Sequence, residues 1–379
     1  MKHLLVALAL FAALLGGPSP ASTQTHHTRL GVSLFWAMGG NLRYWPQLGA
    51  NLAYARDVIG ADYIRVIAVV GGDTYRNPED GQYYDPWADL AIPPTDLQWE
   101  PEIQRVTDSA AANGLKVHWT ILGTRAYVPT AAAQDDAVRF WFRAMQTRLH
   151  HVELLEIANE YNINGFTVAE VQRMGRLART YAPPGFPITL SSPGGTHTDV
   201  TESELRRELA ELYSGPDFAG ANVFTYHASR VTDRWRPASI LRLLGPVARR
   251  NSEPRGPGAS AGGDTTDAGV VTRDYLDSIR AGEAGYVYHT SAGVWGGHAI
   301  GFTRENRWPN LWDVPNADGI ASGLRTLRRD GTPGLPAPPD VPVPTPPPPV
   351  PGDPIAVLMD LVRRVEILEA LARRAGLLP

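Results

Sequence analysis

Two glutamates in this sequence stand where a carboxylate could take part in catalysis. Glu160 ends the segment LLEIANE (154–160), an apolar run that closes on an amide and an acid. Glu253 lies in RNSEPRG (250–256), at the end of another short candidate strand. Two carboxyl groups roughly 5 Å apart can cleave a glycosidic bond, because one attacks the anomeric carbon while the other protonates the leaving oxygen. This chemistry requires a fold that brings Glu160 and Glu253 together.

The segment 28–329 alternates apolar runs with amphipathic ones, as strands and helices do in an α/β fold. Strands are predicted at 29–36, 62–71, 116–123, 152–160, 188–195, 219–227, in a short segment ending at 250–253, and at 285–293. Helices are predicted at 43–59, 100–113, 130–149, 167–181, 201–213, 236–249, 267–281 and 316–328. Eight strand–helix units in about 300 residues predict a (β/α)8 TIM barrel. An open, doubly wound sheet is the alternative, but no Gly-rich phosphate loop follows the first strand.

The carboxyl ends of barrel strands face one cavity, so the polar residues at these ends are the candidate site. Arg65, on the second strand, is predicted to keep the nucleophilic carboxylate ionised. Asn159 is predicted to bond the 2-hydroxyl group of a sugar, where contacts tighten in the transition state. Tyr226 or His227, at the end of the sixth strand, is expected to hydrogen-bond the same carboxylate. Trp295, after the eighth strand, offers a flat apolar face for a sugar ring.

The run LEIANEYN (155–162) resembles the fourth-strand motif of glycoside hydrolase clan A, the retaining (β/α)8 glycosidases, which reads roughly W-E-I-x-N-E-P. The resemblance implies that Glu160 is the general acid/base and that Glu253, ending the seventh strand, is the nucleophile. It also implies substrate-binding roles for Arg65, Asn159, Tyr226, His227 and Trp295. Tyr161 stands where the clan usually has Pro, so no particular family is assigned. The expected function is an exported retaining glycoside hydrolase acting on a poly- or oligosaccharide.

Two other functions stay open. A barrel of this kind could bind carbohydrate without cleaving it, although the presence of both carboxylates speaks against that reading. A serine esterase is the second alternative, because GASAG (258–262) matches the G-x-S-x-G pattern around Ser260. Asp274 and then His289 or His298 follow in the order of an α/β-hydrolase, but prolines interrupt the approach to the motif. No HExxH helix or clustered ligand spacing occurs, so neither a metal nor another cofactor is predicted.

The composition and the amino terminus bear on location and partners. Residues 1–21 read as a signal peptide, with an early Lys2, an apolar run at 4–15 and small residues near 19–21. We therefore expect a secreted or extracytoplasmic protein. The sequence contains no cysteine, so disulfides cannot stabilise it. Its net charge of -4 and its lack of a basic block predict no nucleic-acid partner.

The carboxyl-terminal part has a different composition. Residues 330–354 are rich in proline, which is typical of an extended linker. Residues 355–379 carry apolar side chains at alternating spacings of three and four, a heptad-like stripe on a short helix. Such a helix cannot bury its apolar face alone, which predicts a homo-oligomer formed through this segment. Docking on another surface and a loosely attached amphipathic tail are the alternatives.

Overall fold

The computed structural model describes residues 28–38, 45–69, 75–76, 83–84, 92–193, 202–215, 217–227, 248–259, 263–295, 308 and 310–330. The chain divides into two compact units, Met1–Pro333 and Gly334–Pro379. The predicted signal peptide, the C-terminal helix and most of the proline-rich linker lie outside the described residues, so these assignments stay predictions. Within the described part, no helix is long and apolar enough to cross a membrane.

Eight strands form one sheet, in the order β7-β6-β5-β2-β1-β10-β9-β8, and every pairing between them is parallel. Their bounds are β1 Arg29–Ser33, β2 Tyr63–Ile67, β5 Lys116–Leu122, β6 Val152–Ala158, β7 Ile188–Thr189, β8 Val223–Tyr226, β9 Ala248–Asn251 and β10 Gly285–Tyr288. Each of these strands overlaps a predicted strand, and the predicted TIM barrel is confirmed. A small antiparallel hairpin, β3 Tyr75–Arg76 and β4 Tyr83–Tyr84, follows β2.

The barrel closes between β7 and β8, largely through side chains. The backbone N–H of Asn222 donates to the carbonyl of Ile188 over 2.9 Å, and the Asn222 side-chain oxygen accepts from the Ile188 N–H over 2.8 Å. Further along the seam, the N–H of Thr225 donates to the Thr189 hydroxyl over 3.2 Å. The two threonine hydroxyls lie 3.1 Å apart. Side-chain oxygens thus take the place of ladder carbonyls at this seam.

Helices alternate with the strands around the barrel. Among the described residues they are α1 Trp45–Tyr54, α2 Trp99–Ala112, α3 Ala131–Met145, α4 Val168–Tyr181, α5 Glu202–Leu212, α6 Ala268–Arg280, α7 Ser291–Trp295 and α8 Ala317–Asp330. Helix α4 begins with a capping box, in which Thr167 and Glu170 satisfy each other's backbone N–H groups. The helix predicted at 236–249 falls mostly outside the described residues, and β9 already begins at Ala248.

The strands are buried on both faces, but the two faces differ in chemistry. In β2, Ile64 and Val66 belong to the large apolar cluster beneath the helices. Arg65 alternates with them and points into the barrel, where it is fully buried. It pairs there with Glu156 of β6, which is also fully buried. The barrel interior thus holds charged groups near the carboxyl ends of its strands.

Candidate active site

Glu160 and Glu253 meet at the carboxyl ends of two strands on opposite sides of the barrel. Each stands two residues beyond its strand, after β6 and β9 respectively. One carboxylate oxygen of each and one ring nitrogen of His227 lie within 4.8 Å of one another. Retaining glycosidases hold their carboxyl groups about 5–5.5 Å apart, whereas inverting enzymes leave about 6.5–9.5 Å for a water molecule. The closest approach of the two carboxylates, within 4.8 Å between oxygens, is compatible with the retaining geometry.

His227 lies between the two carboxylates. It follows β8 directly, and its side chain is fully buried. Its Nδ1 lies 2.9 Å from an oxygen of Glu160, and its Nε2 lies 3.5 Å from an oxygen of Glu253. The two ring nitrogens of His227 therefore face one glutamate each.

Tyr226 lies outside this cluster, which corrects its predicted place in the site. Side chains alternate along a strand, so Tyr226 and His227 point to opposite faces of β8. The Tyr226 hydroxyl donates to the buried carboxyl group of Glu283. Burial, followed by the contact with Glu283, raises the pKa of this hydroxyl well above its ordinary value. Of the two candidates on this strand, His227 is the one that lies beside the carboxylates, and its shorter contact is with Glu160 instead of the expected Glu253.

Arg65 joins the site from β2. Its Nη1 donates to an oxygen of Glu253 over 2.7 Å. Its Nη2 donates to Glu156 and to the amide oxygen of Asn159, each over 2.8 Å. The guanidinium carbon lies 4.9 Å from the centre of the Phe35 ring, a cation–π distance. Burial acts to lower the pKa of Arg65, but the two carboxylates outweigh it and raise the pKa, so the group stays charged.

Glu156 is a third buried carboxylate that the sequence analysis did not assign to the site. It accepts from the hydroxyls of Thr120 over 2.6 Å and Thr225 over 3.3 Å, and Nε2 of His118 lies 3.3 Å from it. Burial acts to raise the pKa of Glu156, but Arg65 and then His118 outweigh it and the pKa falls to about 2. The available signal was a charged residue inside an apolar run, the same signal that singled out Arg65.

The backbone at Glu160 is held in an unusual conformation. Its φ angle is 36°, in the left-handed region that residues with a Cβ seldom adopt. The turn that follows fixes it, because the N–H groups of Ile163 and Asn164 both donate to the Glu160 carbonyl over 3.1 Å. The Asn164 side chain also donates to the carbonyl of Asn159 over 2.9 Å. Strained backbone of this kind is concentrated at functional sites.

The remaining predicted residues take different places. Helix α7 ends at Trp295, whose side chain lies outside the described part of the structure. Ser260, the esterase candidate, also falls outside it. Of the partners an esterase would need, Asp274 accepts two bonds from Arg255, and His289 Nδ1 lies 3.0 Å from the Ser33 hydroxyl. These contacts do not form the acid–histidine pair of a hydrolase triad.

Two carboxylates and an imidazole that converge could also ligate a metal ion. Here the Glu253 carboxylate already accepts from the Arg65 guanidinium over 2.7 Å. A fixed positive charge at that distance repels a second cation at the same oxygen. The arrangement therefore suits acid/base and nucleophilic chemistry better than cation binding.

No protein-family model matches the chain, and no curated protein matches it. Solved structures do match it. A family 5 glycoside hydrolase from Bacteroides vulgatus ATCC 8482 superposes with a TM-score of 0.51 at 14% identity, covering 77% of this chain and 65% of that one. An exo-β-1,4-mannosidase from Opitutaceae bacterium strain TAV5 matches with a TM-score of 0.50 at 14% identity, covering 80% and 60%.

A third match is the GH5_18 protein from Streptomyces cattleya in complex with Manβ1-4GlcNAc, with a TM-score of 0.50, 14% identity and coverage of 81% and 82%. The chain thus spans less than two thirds of the first two matched structures, at 65% and 60% of their lengths. At these identities the likeness concerns the fold. The (β/α)8 barrel that the fourth-strand motif implied is therefore confirmed, and the matched structures, one of them a family 5 glycoside hydrolase, share this fold.

Proposed function

We propose that this protein is a retaining glycoside hydrolase. The observation that carries the proposal is the pair Glu160 and Glu253, which reach one another from opposite sides of the barrel mouth to within 4.8 Å. Both are nearly buried, with 9% and 5% of their surfaces exposed, as suits groups that act in a desolvated pocket. The fold shared with family 5 glycoside hydrolases supports the same conclusion.

In the first step, Glu253 attacks the anomeric carbon while Glu160 gives its proton to the leaving glycosidic oxygen. The carbon–oxygen bond breaks, and a covalent glycosyl-enzyme forms. Arg65 keeps Glu253 ionised through its 2.7 Å hydrogen bond. The 2.9 Å contact of His227 Nδ1 with Glu160 fits a protonated acid that donates to the ring. With its own proton on Nε2, the imidazole then faces the Glu253 carboxylate.

In the second step, Glu160 is a carboxylate and removes a proton from water. The hydroxide equivalent attacks the anomeric carbon, and the bond to Glu253 breaks with a second inversion, so the original configuration is restored. The free Glu253 carboxylate regains its bond to Arg65. Each group thereby returns to the protonation state in which it began.

The substrate proposed first is a β-1,4-linked mannoside. Two of the matched structures carry this linkage in their descriptions, one as a β-1,4-mannosidase and one bound to Manβ1-4GlcNAc. A poly- or oligosaccharide substrate fits the predicted export of the protein.

The test is hydrolysis of β-mannosides, other aryl glycosides and polysaccharides by the mature protein. Glu160→Ala should lower kcat by about 10²–10⁴-fold, the usual contribution of a general acid/base. Glu253→Ala should abolish turnover because no glycosyl-enzyme can form. The matched control is Glu153→Gln, which changes another buried carboxylate of β6, paired with Arg250 instead of the site.

Azide separates the two roles. Added to Glu160→Ala, it should attack the glycosyl-enzyme and give a glycosyl azide of retained configuration. Added to Glu253→Ala, it should attack the substrate directly and give the inverted product. Full activity of Glu253→Ala without azide, or loss of activity in Glu153→Gln alone, would contradict the assignment. Retention of the protein on a glycan without any cleavage would favour the carbohydrate-binding alternative.

We further propose that export and self-association follow from the two ends of the chain. The apolar run at 4–15 and the heptad-like stripe in 355–379 support this. Deletion of 355–379 should lower the oligomeric state measured by light scattering while leaving glycoside hydrolysis by the barrel intact. An unchanged number of subunits would assign the segment another role.

A further inference from the structure

A third carboxylate, Glu156, shares the guanidinium group that holds the nucleophile. Arg65 lies between two acids, with Nη1 2.7 Å from Glu253 and Nη2 2.8 Å from Glu156. Both Arg65 and Glu156 are fully buried. Glu156 lies on β6, four residues before Glu160, and the Arg65 guanidinium lies between it and Glu253. It has no place in the two chemical steps described above.

The groups that face Glu156 favour its ionised form. Arg65 from β2 and His118 from β5 contact it directly. Thr120 donates a short hydrogen bond of 2.6 Å to the oxygen that also accepts from Arg65. Tyr213, after α5, is another titratable group that interacts with Glu156, and its pKa is raised to about 12, first by its own burial. Burial lowers the pKa of His118 to about 4, so this ring is neutral at neutral pH.

Glu253 shares Arg65 with Glu156 but has a different imidazole beside it. It accepts a 2.7 Å hydrogen bond from Arg65, and Nε2 of His227 lies 3.5 Å from it. The Glu160 carboxyl group lies within the same 4.8 Å cluster. Arg65 is thus the cation that both carboxylates contact, and Glu156 competes with Glu253 for its charge.

We propose that Glu156 is a positioning residue, which fixes Arg65 between two acids so that the nucleophile Glu253 receives only part of the guanidinium charge. The inference rests on the proposed function in so far as Glu253 is the nucleophile. A carboxylate that felt the whole charge of Arg65 would be a weaker nucleophile, because a cation that stabilises the anion also lowers its basicity. Glu156 therefore favours the glycosylation step.

The sign of the predicted effect follows from the charges. Glu156→Gln keeps the shape and an acceptor for Arg65 but removes one negative charge from the network. Arg65 then acts on Glu253 alone, so the pKa of Glu253 should fall by on the order of one pH unit. The acid limb of the kcat/KM profile should move to lower pH by the same amount, because it reports ionisation of the nucleophile. A merely structural role for Glu156 would move neither.

The experiment titrates Glu253 by carbon-13 NMR in protein labelled at the glutamate carboxyl carbons, and identifies the resonance by its loss in Glu253→Gln. Wild type is compared with Glu156→Gln, with Glu156→Asp, which keeps the charge, and with Glu153→Gln as the matched control. We expect a lower pKa of Glu253 in Glu156→Gln and values close to wild type in the other two. An unchanged pKa in Glu156→Gln, or an equal fall in Glu153→Gln, would overturn the proposal.

If Glu156→Gln does not fold, wild type itself supplies the test. The Glu156 resonance, identified by comparison with Glu156→Asp, should remain that of a carboxylate down to about pH 4, below the ordinary glutamate pKa of about 4.3. Protonation above about pH 5 would overturn the proposal. These titrations need no turnover. If the pKa of Glu253 falls in Glu156→Gln but the wild-type protein has no glycosidase activity, only the proposed function is contradicted. If the protein is active but this pKa does not change, only the inference about Glu156 is contradicted.

Discussion

Replacement of Arg65 by Met removes the cation at the centre of the site while preserving its approximate length and an apolar stem. Glu156 and Glu253 would then stay buried, with 0% and 5% of their surfaces exposed, but without the guanidinium that contacts both. Loss of one partner from a buried ion pair costs about 3–5 kcal/mol, because the charge left behind is poorly solvated. The free energy of unfolding at neutral pH should fall by about that amount.

The way in which this loss of stability depends on pH is a sharper test of the buried ion pair. In wild type, the pKa of Glu156 is lowered to about 2, below the ordinary glutamate value of about 4.3. A depressed carboxyl pKa contributes stability that is present above the ordinary value and is lost as the pH falls through the folded one. The difference corresponds to about 3 kcal/mol. Without Arg65, burial should raise the pKa of Glu156. Lowering the pH should then protonate this carboxylate and make the stability difference between Arg65→Met and wild type smaller.

The measurement is urea unfolding of wild type and Arg65→Met near neutral pH and near the ordinary glutamate pKa of about 4.3. The control is Arg139→Met, since Arg139 and its partner Asp136 have side chains that are 46% and 47% exposed. An exposed pair of this kind contributes about 0–1 kcal/mol. The reasoning from the buried ion pair would be refuted if Arg65→Met lost less than about 1 kcal/mol of unfolding free energy relative to wild type at neutral pH. It would also be refuted if this loss became larger at acid pH.

Other substitutions test the imidazole bridge, the close packing and the backbone strain. His227→Asn should lower kcat/KM by about 10- to 100-fold, the equivalent of a hydrogen bond to a charged group, and an unchanged value for an aryl glycoside would contradict its bridging role. Gly175→Ala should destabilise the protein by about 1–3 kcal/mol in urea unfolding, since its Cβ would lie 2.3 Å from Leu190 Cδ2. Gly49→Ala in α1 should instead stabilise it by about 0.5–1 kcal/mol, because nothing lies within 4 Å of its Cβ; a loss would contradict this. Ala219→Gly should raise the melting temperature by relieving a φ of 51°, which costs about 1–2 kcal/mol, and a lower melting temperature would count against strain there.

The barrel could be predicted because each of its strands is buried on both faces. Such strands appear in sequence as apolar runs, and their number and order suffice to define the fold. Their lengths were harder to predict. The fifth strand was expected to cover 188–195, whereas β7 ends at Thr189, because its neighbour β8 meets it through side chains such as Asn222 at the seam. A sequence pattern does not distinguish a ladder from a side-chain contact.

Glu160 and Glu253, the proposed catalytic pair, could be predicted from their positions at strand ends, whereas their neighbours could be predicted only in part. A shift of one residue along a strand changes which side chains enter the barrel. The sequence pattern does not fix the position to within one residue, so Tyr226 and His227 stay alternatives. Glu156 was missed for a related reason: within a fully buried strand, apolar neighbours on both sides conceal which residues face inward. Its role depends on the alignment of β6 with β2 and β5, which places Arg65 and His118 against it. That alignment is a property of the whole sheet.

The left-handed backbone at Glu160 places function and stability in opposition at a single residue. Glycine adopts a φ of 36° without the Cβ clash, so Glu160→Gly should relieve this backbone strain while removing the proposed acid/base. A library of variants sorted for thermal stability alone should therefore enrich inactive proteins at this position. The same reasoning makes the position useful to an engineer, since a stable Glu160→Gly protein would retain the barrel mouth and could hold an uncleaved sugar.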